Sequence, residues 1–205
     1  MPAVPRFAIG AFALMALVMG IQMACHKPPL REAGPFPEPV QRDLAESVEL
    51  PAPPGYAITG LAEYTVEALI VSRSRYRHDR EAELAPVDLL LAWGPLTREP
   101  NLTGIRWSQG GRWGQFRYEY GTLTVDQREI EQCSANTHII PAWGDEALRG
   151  ELLSLRRGDA VRLEGYLVRV RATDGNWQWN SSRRRTDTGS GACEVFYVTG
   201  WTYLN

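Results

Sequence analysis

The spacing of apolar and polar residues divides the chain into three parts. An apolar head lies within residues 1–24, because residues 7–24, FAIGAFALMALVMGIQMA, carry no charge and are long enough to cross a hydrocarbon core as a helix. Residues 25–60 are rich in proline and poor in large apolar side chains, which favours an extended linker. Residues 61–205 show short β-rich runs between polar turns, which predicts one globular domain.

The apolar head is compatible with three fates. It can stay as an uncleaved signal anchor, be cut by signal peptidase, or be a lipoprotein signal with Cys25 as the lipidated residue. All three fates export the rest of the chain. We therefore expect residues 7–24 to contact the bacterial inner membrane, and the globular domain to lie in the periplasm.

Short runs with alternating or continuous apolar residues predict most of the elements. Residues 63–72, EYTVEALIVS, predict a buried strand, and residues 87–94, VDLLLAWG, a strand or the end of a short helix. Residues 111–121 predict a strand with a kink near Gly114. Within the linker, VQRDLAESVEL (40–50) is compatible with one or two helical turns.

Residues 145–158, DEALRGELLSLRRG, predict the one helix of the domain. Leucines follow helical spacing, acidic residues open the segment, arginines close it, and Gly158 suits the left-handed position after the last turn.

A phase shift in residues 159–180 indicates a curved sheet. The apolar positions change parity at Gly165, which requires one extra residue and predicts a β-bulge there. TDGN at 173–176 predicts a hairpin turn, and 193–204 a final strand. We therefore predict a mainly β (α+β) domain: a small curved antiparallel β-barrel, compatible with the oligonucleotide/oligosaccharide-binding type, with one packed helix.

The composition of the 205 residues argues against nucleic-acid partners. The formal net charge is −2, and no long basic run is present. The chain also lacks a glycine-x-serine-x-glycine nucleophile elbow. No cofactor is indicated.

The loop SSRRRTDTGSGACE (181–194) allows two interpretations. Arg183, Arg184 and Arg185, together with backbone donors, could bind an anion or carboxylate. Alternatively, Asp187 caps a turn and pairs with one arginine, while the other arginines are solvated.

A second polar cluster lies in CSANTHIIPAWG (133–144). His138 could act as a general base oriented by Asn136, with Asp187 as a second catalytic candidate, or it could be a hydrogen-bonded structural residue. A metal site formed by Cys133, His138 and Cys193 lacks paired ligands at short spacing, so no metal is predicted.

Cysteine and tryptophan residues add two further expectations. In an oxidising compartment Cys133 and Cys193 are expected to form a disulfide, which would join the two polar clusters into one patch. Trp177 and Trp179 share one face of a predicted strand, where they form either a surface platform or part of the core.

Five blocks in a fixed order resemble a family of uncharacterised bacterial membrane-anchored proteins. The resemblance spans about Tyr64 to Val198 and implies an exported location and a shared topology, without an activity. The blocks are LAPVDLLLAWGPL (84–96), RWSQGGRWGQFRY (106–118), SANTHIIPA (134–142), RRGDAVRLEGYLVRV (156–170) and RTDTGSGACEVFYV (185–198).

Two functions remain compatible with these patterns. The first is a membrane-tethered module of the cell envelope that binds an envelope protein or a glycan. The second is a hydrolase or transferase that acts on an envelope polymer with His138 and Asp187 in one cleft. The anchor, the linker and the absence of a recognisable catalytic motif favour the first.

Overall fold

A computed structural model of the protein describes residues 29–184 and 193–204. Of this part, 48% lies in strands and 15% in helices, so the predicted mainly β class is confirmed. The apolar head with the proposed anchor lies outside the described residues. No helix within 29–184 or 193–204 is both long and apolar enough to span a bilayer.

The described residues form nine strands and three short helices. The strands are β1 (Val40–Leu50), β2 (Tyr56–Arg75), β3 (Val87–Ala92), β4 (Arg106–Gly110), β5 (Trp113–Arg117), β6 (Ser134–Pro141), β7 (Ala160–Ala172), β8 (Gln178–Asn180) and β9 (Glu194–Tyr203). The helices are α1 (Asn101–Gly104), α2 (Gln127–Gln132) and α3 (Glu146–Leu152), and 3₁₀ turns occur at Arg80–Glu83 and Gly94–Thr97.

Seven strands form a curled sheet in the order β1-β2-β3-β6-β9-β7-β8, and the long strand β2 also pairs with β7. Strands β4 and β5 form a separate hairpin. The prediction of an all-antiparallel sheet is wrong at one place, because β9 runs parallel to β6. Between β6 and β9 the chain forms α3, β7 and β8. A connection of this length allows two neighbouring strands of a sheet to run parallel.

The curled sheet has apolar side chains on both faces. The larger cluster fills the concave side, where Tyr64 and Phe196 meet edge to face with ring centroids 5.0 Å apart. A smaller cluster on the outer side includes Ile140, Val195 and Tyr197. Strand β3 is buried along its whole length because both of its faces are covered.

The predicted bulge at Gly165 is confirmed. The pairing of β7 with β9 shifts between Glu164 and Gly165, and Gly165 has φ +155°. A Cβ atom at this position would lie 2.0 Å from the carbonyl oxygen of Tyr197. Only glycine lets the two strands approach this closely, and the bulge bends β7 around the core.

The predicted helix is present but shorter than expected. Helix α3 ends at Leu152, and the side chain of Asp145 accepts a hydrogen bond from the Leu148 backbone at its start. Gly158 adopts φ +97° and donates its N–H to Ile70 O at 2.8 Å. This bond to β2 directs the chain that follows the helix back toward the sheet.

The proline-rich segment differs from the predicted free linker. Leu30 and Phe36 are buried in the main core cluster, and Val40–Leu50 forms strand β1 on the edge of β2 rather than helical turns. From residue 29 onward this segment therefore belongs to the globular domain. The β-branched and aromatic residues that pair it with the sheet are widely spaced, so the sequence pattern did not reveal them.

Candidate functional site

Strands β3 and β6 place polar side chains on the outer face of the sheet. Asp88 lies opposite His138, and Leu90 lies opposite Asn136 in the antiparallel register. Because side chains alternate along a strand, these four residues share one face and Leu89, Leu91 and Ile139 share the other. Leu90 also belongs to the main core cluster, although it lies on the face that carries Asp88. The hairpin β4–β5 lies over this outer face.

Arg112 links the hairpin to the sheet. It occupies the turn between β4 and β5 with φ 65°, after Gly111 with φ 57°, the backbone geometry that a two-residue hairpin turn requires. Its guanidinium pairs with both oxygens of Asp79, at 2.8 Å from Nε and 2.9 Å from Nη2. Its Nη1 donates to Asp88 Oδ1 at 3.1 Å. We call Asp79, Asp88, Arg112 and His138 the Arg112 cluster.

Aromatic rings enclose this guanidinium on two sides. Its central carbon lies 4.1 Å from the ring centroid of Tyr76 and 5.5 Å from the Trp179 ring. The Arg112 hydrogen bonds lower the pKa of Asp79 below its ordinary value. Burial, followed by the charge of Asp88, raises the pKa of Tyr76. The cluster thus favours a charged Asp79 and a neutral Tyr76.

His138 is packed inside this arrangement. Its side chain is 4% exposed, and its ring centroid lies 4.7 Å from that of Trp179. Its Nδ1 is 2.9 Å from Asp88 Oδ1, but the ring N–H does not point at that oxygen. The side chain of Asp88 is fully buried, and within the described part of the chain its Oδ2 has no hydrogen-bond partner. The carboxylate therefore depends on Arg112 for a well-directed hydrogen bond.

The side chain of Asn136 forms hydrogen bonds to the β4–β5 hairpin and is therefore not free to face a ligand. Its Oδ1 accepts a hydrogen bond from Gln109 Nε2 at 2.8 Å, and its Nδ2 donates to Arg112 O at 3.0 Å. Gly114 passes over it so closely that a Cβ atom would lie 3.0 Å from Asn136 Cβ and 2.8 Å from Leu90 Cδ1. The predicted kink at Gly114 thus reflects close packing of β5 on the sheet.

A cleft of about 680 Å³ opens beside the Arg112 cluster. It contains two indoles, two side-chain amides, two carboxylates, a thiol and one guanidinium. The lining residues are Asp79, Glu81, Gly111, Arg112, Trp113, His138, Gln178, Trp179, Asn180, Ser181 and Cys193.

The structure brings only part of the predicted site together. His138 and Cys193 both line the cleft, and Asn136 lies behind it. Arg183 points instead to β1, where its Nη1 lies 3.6 Å from Asp43 Oδ2, and Arg184 is exposed. Arg185 and Asp187 lie outside the described residues.

The two cysteines that were predicted to form a disulfide are not joined. Cys193 Sγ lies 3.6 Å from Asn136 Nδ2, whereas Cys133 packs beside Gly94. Cys133 ends helix α2 just before β6, so the two thiols have different neighbours. Nor does the described part of the chain gather three histidine, cysteine or acidic side chains that could hold a metal ion.

The sequence patterns missed Asp79, Asp88 and Arg112. Asp88 was visible as a single acid inside the apolar run VDLLLAWG, and a buried strand tolerates such a residue only with a partner. Arg112 was visible as the residue after two glycines in a hairpin turn. Neither pattern showed that Asp88 and Arg112 would be partners.

Comparisons with known proteins give no family or relative for this chain. No family model, no curated protein and no solved structure matches it.

Proposed function

We propose that the protein is a membrane-tethered, extracytoplasmic binding module of the cell envelope, and that the cleft beside the Arg112 cluster is its ligand site. We further propose that the curled sheet is a small barrel of the oligonucleotide/oligosaccharide-binding type. Pairing runs from β2 through β3, β6, β9 and β7 and back to β2, which supports a five-stranded barrel.

The position of the cleft is the observation that carries this proposal. Proteins of this barrel type bind ligands on the face of their second and third strands, between the first-to-second and fourth-to-fifth loops. In the proposed barrel these strands are β3 and β6, and the loops are 76–86 and 173–193. The cleft lies on that face and is lined by residues from both loops, among them Glu81 and Gln178.

The internal contacts of the cluster favour binding over catalysis. A general base must reach the proton that it removes, but His138 is almost fully buried beneath Trp179. Arg112 already binds two carboxylates and the carbonyl oxygen of Ala85. The alternative, an envelope-polymer hydrolase that uses His138 and Asp187, has no comparable support from the described residues.

Site-specific photo-crosslinking in intact cells tests the proposal. A photoreactive amino acid replaces Trp113, which is 43% exposed at the cleft, and in a control it replaces Trp143, which is 49% exposed outside the cleft. We expect a defined adduct of the anchored protein from position 113 and none from position 143. Equal labelling at the two positions, or none at position 113, would contradict a ligand site in the cleft.

A further inference from the structure

We infer that the ligand of the cleft is an uncharged oligosaccharide, an inference that rests on the proposed binding function. Among the described residues that line the cleft, the groups that a ligand could contact are aromatic rings, neutral amides and the carboxylate of Glu81. Trp113 and Trp179 supply the rings, and Gln178 supplies an amide from strand β8. The amide oxygen of the neighbouring Asn180 already accepts a hydrogen bond from Arg169 Nε at 3.1 Å.

Two charged groups of the cleft, Asp79 and Arg112, are already paired with each other. Both oxygens of Asp79 accept hydrogen bonds from Arg112. Within the described lining, Arg112 is the only arginine or lysine, and its guanidinium also contacts Asp88 and stacks on Tyr76. An anionic ligand such as a nucleotide or a phospholipid headgroup would therefore find no unengaged arginine or lysine there, and its negative charges would meet Glu81.

Sugars match the remaining chemistry. A pyranose ring presents an apolar C–H face that packs on an indole, and its hydroxyl groups donate and accept hydrogen bonds at the same time. Side-chain amides and carboxylates serve both needs, because amides donate and accept while carboxylates accept. A volume of about 680 Å³ falls within the usual range of small-molecule sites.

A second cleft indicates a ligand of several units. It has a volume of about 410 Å³, adjoins the first through Gln178, and is lined by Arg171 as well as by Trp177 and Asn176. The Trp177 and Trp179 ring centroids are 6.1 Å apart, and Tyr56 continues the row at 6.0 Å from Trp177. Trp179 in the first cleft and Trp177 in the second are thus neighbours, as binding of a linear glycan across both clefts would require.

A binding measurement with defined glycans tests the inference. The full chain in detergent is titrated with neutral oligomers of glucose, galactose and N-acetylglucosamine, and heat release and tryptophan fluorescence are recorded. We expect at least one oligomer to bind, and to bind at least tenfold more weakly to Trp113→Ala, while Trp143→Ala binds like the unmodified protein. Gln178→Ala, at the junction of the clefts, should weaken a tetrasaccharide more than a disaccharide.

Two further probes separate the possible failures. A lysine-rich peptide and inorganic pyrophosphate are titrated under the same conditions. Binding of either probe without any oligosaccharide would overturn the inference, as would oligosaccharide binding that Trp113→Ala leaves unchanged. If position 113 still gives its crosslink in cells while no glycan binds, the binding function stands and the sugar assignment falls. If both experiments fail, both proposals fall.

Discussion

Replacing the largely buried Arg112 by methionine should strongly destabilise the domain. The Arg112 side chain is 12% exposed and that of Asp88 is 0% exposed, so methionine leaves a buried carboxylate without its cationic partner. Breaking a buried pair from one side costs about 3–5 kcal/mol of unfolding free energy. For a domain of this size each kcal/mol lowers Tm by about 2–4 °C, which predicts a loss of about 6–20 °C.

The structure offers a matched control and a rescue for this variant. Arg117 lies on the same hairpin and is exposed, so Arg117→Met should change the unfolding free energy by less than about 0.5 kcal/mol. The double variant Arg112→Met with Asp88→Asn removes the buried charge together with its partner and should recover most of the loss.

Urea unfolding of the full chain in detergent, followed by tryptophan fluorescence, measures all four proteins. A loss of less than about 1 kcal/mol in Arg112→Met would refute the reasoning. A double variant no more stable than the single Arg112→Met variant would also refute it, because the two residues would then act independently.

Three further predictions follow from local geometry. Gly165→Ala should destabilise the domain by about 2 kcal/mol or more in urea unfolding, since its Cβ would meet a backbone carbonyl. Gly150→Ala in helix α3, where no atom lies within 4 Å of the new Cβ, should stabilise the domain by about 0.5–1 kcal/mol. Equal effects of the two substitutions would contradict the bulge geometry. Asp79→Asn should lower the unfolding free energy by at most about 1 kcal/mol at neutral pH, because this carboxylate is 37% exposed. Since the pKa of Asp79 is lowered in the folded state, this difference in unfolding free energy should vanish as pH falls below the ordinary value of 3.8. A difference that persists in acid would exclude the ionic pair. Alkylation without reductant should label both Cys133 and Cys193, with Cys133 slower because burial raises its pKa; mass spectrometry that finds neither labelled would indicate a disulfide instead.

The sequence predicted those elements that depend on residues close together in the chain. The bulge at Gly165 follows from a parity change within one strand, and the start of α3 follows from leucine spacing and Asp145. The parallel pairing of β9 with β6 and the attachment of β1 depend on contacts between distant segments, which no local pattern encodes.

The candidate site was predictable only in part for the same reason. His138 was identified from its residue type, but its acidic neighbour is Asp88, fifty positions earlier in the chain, whereas the sequence analysis had named Asp187, in the arginine-rich loop, as the acidic candidate. Arg112 was overlooked beside the loop with three consecutive arginines, although a single guanidinium with two carboxylates has more influence on the site than exposed arginines have.

In the proposed membrane-anchored form, the burial of Leu30 limits how far the domain can lie from the lipid surface. With the membrane helix that we propose at residues 7–24, only residues 25–29 separate the bilayer from the folded body. Five residues span at most about 18 Å even when fully stretched. Under both proposals, the sugar chains within reach are those that approach the outer leaflet of the inner membrane. The domain would then bind its ligand close to the membrane surface and not deep in the periplasm.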